Sequence, residues 1–140
     1  MKTISSQVQE GEGAKAPLSQ PNSTHSDEKI GWLYTTTASR EEALRLGHTL
    51  VEEHLLACAN ILENMHAIYR WKGSIETAQE CVLIGKTSST LVTAAANRLK
   101  VLHSYECPCI LTLPAQAANV AFAEWVRTNV KAEVTADTLT

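Results

Sequence analysis

No stretch of this 140-residue chain approaches the roughly 20 consecutive apolar side chains that a membrane-spanning helix needs. The N-terminus lacks the charged-then-apolar layout of a secretory signal, so no secretion is expected. Charge of one sign is also missing. Residues 30–131 hold nine Lys/Arg against nine Asp/Glu. A neutral domain has no electrostatic means of holding a phosphate backbone or an anionic lipid surface, so neither nucleic acid nor membrane is an expected partner. Cysteine is sparse, with only Cys58, Cys81, Cys107 and Cys109. A chain of this size needs no disulfides to fold, and free thiols in the reducing cytoplasm are the expectation.

Chemical signatures are missing as well. There is no Gly-rich phosphate loop, no H-E-x-x-H, no C-x-x-C and no G-x-S-x-G. Acidic residues do not pair in the manner of a carboxylate catalytic site, and no enzyme is expected. No short repeat recurs along the chain.

What is present begins at Ile30. Residues 1–29 are rich in Ser, Gln, Gly, Pro, Asn and Thr and nearly devoid of large apolar side chains, so they predict a disordered tail. Residues 30–131 read as one domain, and 132–140 as a flexible end. The β-branched and aromatic run Ile30–Thr37 predicts a strand. Ser39 with Glu42 is a capping box, and it opens a helix expected over 40–55. The helix's apolar stripe runs through Ala43, Leu46, Gly47, Leu50, Val51 and His54. A second strand starts near Ala57, breaks at Glu63-Asn64 and resumes to Trp71. Lys72-Gly73 is a tight-turn signal, and a return strand follows to Lys86. Thr87 or Ser88 is placed to cap a second helix over 89–103. A short strand, 110–113, is stopped by Pro114. Asn119 then caps a last helix with Phe122, Trp125 and Val126 on one face.

The order β-α-β-β-α-β plus a terminal helix predicts an α+β, ferredoxin-like sandwich with a long β2–β3 hairpin. One sheet face is left bare, and further copies of the same sheet are the natural cover.

The remaining chemistry is soft. His103, Cys107 and Cys109 lie close in sequence and Cys58 sits on another strand. Thiolate and imidazole select Cu(I) and Zn(II) over Mg or Ca. Two thiols two residues apart in a strand would be about 6–7 Å apart, too far for one metal without a kink. The same cysteines also read as small core hydrophobes beside a helix-terminal His. A Cys107–His103 nucleophile is disfavoured, because Glu106 faces away from Cys107 in an extended chain. Trp71, Tyr69 and Tyr105 read either as packing or as the wall of a pocket, and Lys86 either as a solvated strand end or as an anion contact.

Four blocks, in order, are similar to those of the CutA family: Ala57-Cys58-Ala59-Asn60-Ile61, Tyr69-Arg70-Trp71-Lys72-Gly73, Ile84-Gly85-Lys86-Thr87 and His103-Ser104-Tyr105-Glu106-Cys107-Pro108. The resemblance covers Ile30 to about Asn129. It implies a homotrimer of ferredoxin-like subunits resembling the PII proteins, linked to tolerance of copper and other divalent cations. Residue by residue, the family's recurrent Cys falls on Cys58 and its recurrent His on His103. An inter-subunit pocket would involve Trp71, Lys86, Tyr105 and Glu106. The chain departs from the family pattern at Thr35, Lys72, Ser104 and Cys109. The implied function is copper tolerance through a soft metal held by His103, Cys58, Cys107 and Cys109, with no metal needed for folding. The alternative is a PII-like module for a small anionic ligand or a partner protein in the cleft.

Overall fold

The computed structural model describes residues 29–132. The expectations for residues 1–28 and 133–140 lie outside the described residues. Seven elements follow in order: β1 (Ile30–Thr37), α1 (Arg40–Glu52), β2 (Cys58–Trp71), β3 (Ser74–Ser88), α2 (Val92–Leu102), β4 (Ile110–Pro114) and α3 (Val120–Thr128). The sheet order is β2-β3-β1-β4, and every pairing is antiparallel. This is the expected α+β, ferredoxin-like arrangement, with its extra C-terminal helix and long hairpin.

Strand alternation sorts side chains between two faces. Leu33 and Leu83 lie on the face covered by α1 and α2, where they join Leu46, Leu50, Leu56 and Leu99 in one fully buried core. The fit is close at Gly85. A Cβ there would fall 2.6 Å from Leu56 Cδ1, so the missing side chain is what lets Leu56 lie on the sheet. Arg98 of α2 reaches back to Glu53 with a forked pair of hydrogen bonds, 2.8 Å from Nη2 to Oε1 and 2.9 Å from Nε to Oε2. The guanidinium holds the Glu53 carboxyl below its ordinary pKa, and the clamp ties the ends of the two helices together.

The opposite face is open. The registers set Trp32 between Lys86 and Leu113, and Tyr34 between Ile84 and Leu111. Leu62 and Leu111 on this face are each more than half exposed. A small domain does not leave such a surface to water without a use for it.

Three local expectations needed correction. First, α1 stops at Glu52 rather than Leu55. His54 takes a left-handed φ of 59°, and the amides of Leu55 and Leu56 both turn back to Leu50 O. That turn drives Leu55 and Leu56 into the core and leaves Val51 and His54 exposed, off the stripe they were assigned to. Second, Thr87 and Ser88 do not cap α2. They extend β3, opposite Gly31 and Ile30, and α2 begins at Val92 after the buried Leu91, with no side-chain cap. Sheet pairing, a long-range interaction, outcompetes the local cap. Third, Asn119 does cap α3, its Oδ1 accepting from Ala121 N at 3.0 Å, but the buried face is Ala123 and Val126 against Ile30 and Ala57. Phe122 and Trp125 instead stack on each other in solvent, centroids 5.8 Å apart.

The hairpin forms as expected except that β2 does not break at Glu63-Asn64: it runs on through a bulge between Leu62 and Met65, where Asn64 sits at φ 58° and absorbs the irregularity. The turn has φ 47° at Lys72 and 84° at Gly73. Two successive positive φ values suit a two-residue hairpin turn, and Gly73 takes the second without strain.

Candidate functional site

β1 ends where Thr37 pairs with Cys81, so among the described residues the hairpin from Met65↔Glu80 to Trp71↔Ser74 has no third strand beside it. Seven residue pairs overhang, about 23 Å of ribbon. Between this ribbon, the end of β1 and the segment that links α2 to β4 lies a cavity of about 620 Å³. Aromatic side chains line it from three directions: Tyr34 from β1, Tyr69 and Trp71 from the ribbon, and Tyr105 from the linking segment. Glu80, Glu106, Cys107 and Cys109 complete the chemically interesting part of the wall, with Met65 and His66 on the ribbon side.

His103 anchors the linking segment. Its side chain is fully buried. The Tyr105 backbone amide lies 3.1 Å from Nδ1, and Nε2 lies 2.8 Å from Thr36 O. An amide only donates, so Nδ1 accepts; the proton sits on Nε2 and is donated to the carbonyl. Both ring nitrogens are thus engaged. Glu42 Oε1 stands 3.6 Å from Nδ1, beyond hydrogen-bonding distance, so this carboxylate faces the ring instead of returning the second bond of the capping box. The Ser39 half of that box does form, with Glu42 N donating to Ser39 Oγ at 3.2 Å.

Tyr105 is held in turn by Glu80, its hydroxyl donating to Oε2 at 2.7 Å, while its ring lies 4.9 Å from that of His103. Desolvation, then the Glu80 carboxylate, pushes the Tyr105 phenol above its ordinary pKa of 10.0. A raised folded-state value means that the unfolded chain loses this proton first. The stabilising contribution is therefore present below about pH 10 and is lost progressively above it. Absorbance titration at 295 nm is expected to show one of the chain's three tyrosines ionising only with alkaline unfolding. Tyr105→Phe should remove that late step. A variant that keeps it would break the assignment.

The four soft ligands named from sequence do not converge. Cys58 lies on β2 and Cys109 just before β4, at opposite edges of the sheet and three strand spacings apart, about 14 Å. Burial raises the half-buried Cys58 thiol, and the ammonium of its cross-strand neighbour Lys86 opposes the rise. Cys107 and Cys109 are both free and exposed on the cavity wall. Partial desolvation there, then the charge of Glu80, raises the Cys109 thiol. Among the described residues no group of three or more His, Cys, Asp or Glu is arranged to hold a metal. Of the four, only Cys107 and Cys109 share the cavity wall.

Of the pocket residues named from sequence, Tyr69, Trp71, Tyr105 and Glu106 line this cavity, and Lys86 lies outside it within the subunit. Lys86 is six residues along β3 from Glu80, about 20 Å away. Glu80 is the residue that sequence reading passed over. Its signal was faint: a lone acid at the head of the alternation Glu80, Val82, Ile84, Lys86.

The profile of the CutA1 divalent ion tolerance protein family matches residues 32–129, from β1 through α3. The divalent-cation tolerance protein CutA of Thermus thermophilus is 38% identical over 94 residues, 67% of this chain and 91% of the relative. The chloroplastic protein CutA 1 of Oryza sativa is 31% identical over 99 residues, 71% of this chain, which spans only 56% of that relative's length. The solved structure of CutA1 from Ehrlichia chaffeensis superposes with a TM-score of 0.72 at 38% identity, covering 75% of this chain and 98% of its own.

Proposed function

The chain belongs to the CutA1 divalent ion tolerance family, and from that premise we propose that it works as a homotrimer that takes up a soft metal ion, Cu(I) foremost, on Cys107 and Cys109. The observation that carries the metal part is the pair of free, exposed thiols sharing the wall of one cavity. Soft thiolates favour Cu(I), for which two ligands suffice. His103 is left out of the ligand set because both its nitrogens are engaged. The trimer is supported by the exposed apolar side chains of the open face and by the outer edges of β2 and β4, which have no partner strand among the described residues.

The compartment we assign is the cytoplasm, or another space reducing enough to keep the thiols free. Among the described residues no helix is long and apolar enough to cross a membrane.

The test is an anaerobic Cu(I) titration of the reduced full chain against a chromogenic chelator, with mass read by sedimentation in the same samples. One ion per subunit is expected. Binding should tighten as pH rises, because the thiols must lose protons. Cys107→Ser and Cys109→Ser should each weaken binding by more than the roughly tenfold to hundredfold that loss of an outer-shell partner costs. Cys58→Ser should change nothing. A doubly substituted protein that binds as tightly as the parent would overturn the assignment.

A further inference from the structure

His103 and Glu42 form a pair whose second half the fold leaves unused. The His103 side chain is wholly enclosed by its own subunit and that of Glu42 is 11% exposed, so their contacts are set within the subunit. Nδ1 has one lone pair, and the Tyr105 amide takes it at 3.1 Å. Glu42 Oε1 stands 3.6 Å from the same nitrogen, buried and without a hydrogen-bond partner. A bare buried carboxylate oxygen is costly, and the imidazole beside it can meet it by gaining a proton. Other charged and titratable groups bear on the ring from the elements around it. From α1, Arg45 joins Glu42, its Nη2 donating to Leu102 O at 3.4 Å, next to His103. From β3, Glu80 accepts from the Tyr105 hydroxyl, and the Tyr105 ring lies 4.9 Å from the imidazole. β1 supplies the uncharged Thr36 carbonyl, which accepts from Nε2 whether or not Nδ1 is protonated.

We propose that His103 is a pH-operated latch on the segment that links α2 to β4. The neutral ring accepts the Tyr105 amide proton at Nδ1. The imidazolium donates from Nδ1 to Glu42 and lets the amide go. The added proton comes from solvent and stays on Nδ1, and no covalent bond between heavy atoms changes. Two N–H groups cannot share one hydrogen bond, so the Tyr105 amide must leave, and the backbone leading to Glu106 goes with it. The ring and the carboxylate need only close a few tenths of an ångström to reach hydrogen-bonding distance. The Tyr105 hydroxyl, tied to Glu80 at 2.7 Å, limits how far the segment travels. Burial resists a charged ring and the Glu42 carboxylate favours it, and imidazole is the side chain whose charge ordinarily changes between about pH 5 and 8. Neither thiol takes part, so the inference does not rest on the metal reading.

The test is an NMR titration of the isotope-labelled, metal-free, reduced full chain in its native assembly, from about pH 8 down to about pH 5. Ring-nitrogen spectra read the protonation of His103, and the Tyr105 amide is followed in the same samples. At the alkaline end the ring is expected neutral, with its proton on Nε2. As Nδ1 gains its proton, the Tyr105 amide proton should move upfield, its hydrogen bond lost, with the same midpoint as the ring. Glu42→Gln removes the charge and spares the Ser39 cap, which uses the backbone amide of residue 42. It should lower the shared midpoint by about one pH unit or more. Tyr105→Phe loses the hydroxyl and keeps the amide, so ring and amide should still move together. The parent titration decides by itself if Glu42→Gln does not fold. A ring that keeps one protonation state down to about pH 5 in folded protein, an amide that does not follow the ring, or an unchanged midpoint in folded Glu42→Gln would overturn the proposal.

Discussion

His103→Ala is expected to lower the unfolding free energy by about 3–5 kcal/mol while leaving Cu(I) affinity per folded subunit unchanged. The imidazole is wholly enclosed and bridges the Thr36 carbonyl to the Tyr105 amide. Truncation removes both hydrogen bonds at once. It leaves a part-buried acceptor and a part-buried donor without their partner, each costing up to about 1–3 kcal/mol, and a void that the surroundings only partly fill. Urea unfolding at fixed protein concentration measures the loss, since oligomer stability depends on concentration. A loss below about 1 kcal/mol would show that the bridge is not structural. A folded variant with abolished Cu(I) binding would return His103 to the ligand set.

The second large effect concerns assembly. Leu62→Asp combined with Leu111→Asp is expected to convert the proposed trimer into folded monomers. Both side chains are on the open face and are more than half exposed in the single subunit, so the isolated fold has little need of them. In a trimer built on that face each would become a carboxylate at a buried boundary. An unpaired charge costs several kcal/mol to desolvate, and three subunits would bring six of them. Sedimentation velocity should find a species near the 15.3 kDa chain mass, with helix and sheet signals retained. A variant that stays trimeric would move the interface elsewhere. A parent protein that is itself monomeric at micromolar concentration would end the trimer proposal.

Much of this was readable in advance because the signals are local. The Ser39 cap, the Asn64 bulge, the Lys72-Gly73 turn and the Asn119 cap each depend on residues within one turn of helix or one strand pair. Short-range hydrogen bonding and backbone sterics decide them, so the order of elements and hence the ferredoxin-like plan followed directly. Local signals failed where distant partners competed. Thr87 and Ser88 look like helix caps, yet Gly31 and Ile30 claim them for the sheet. Phe122 and Trp125 are the bulkiest members of their helix, yet the space beside Ile30 and Ala57 takes Ala123 and Val126.

The site divides in the same way. The sequence alone was enough to name the soft side chains, the family blocks and four of the pocket's residues, Tyr69, Trp71, Tyr105 and Glu106, because residue chemistry and spacing are written in the chain. Whether those groups meet is a matter of register and loop path. Cys58 and Cys109 are parted by the order of the strands, and Glu80 meets Tyr105 only because the linking segment passes the middle of β3. His103 shows the difference most simply. Its capacity to bind a metal is a property of the imidazole, but its nitrogens are occupied by Tyr105, two residues on, and by Thr36, 67 residues back. Only the packed fold brings that second partner within hydrogen-bonding distance.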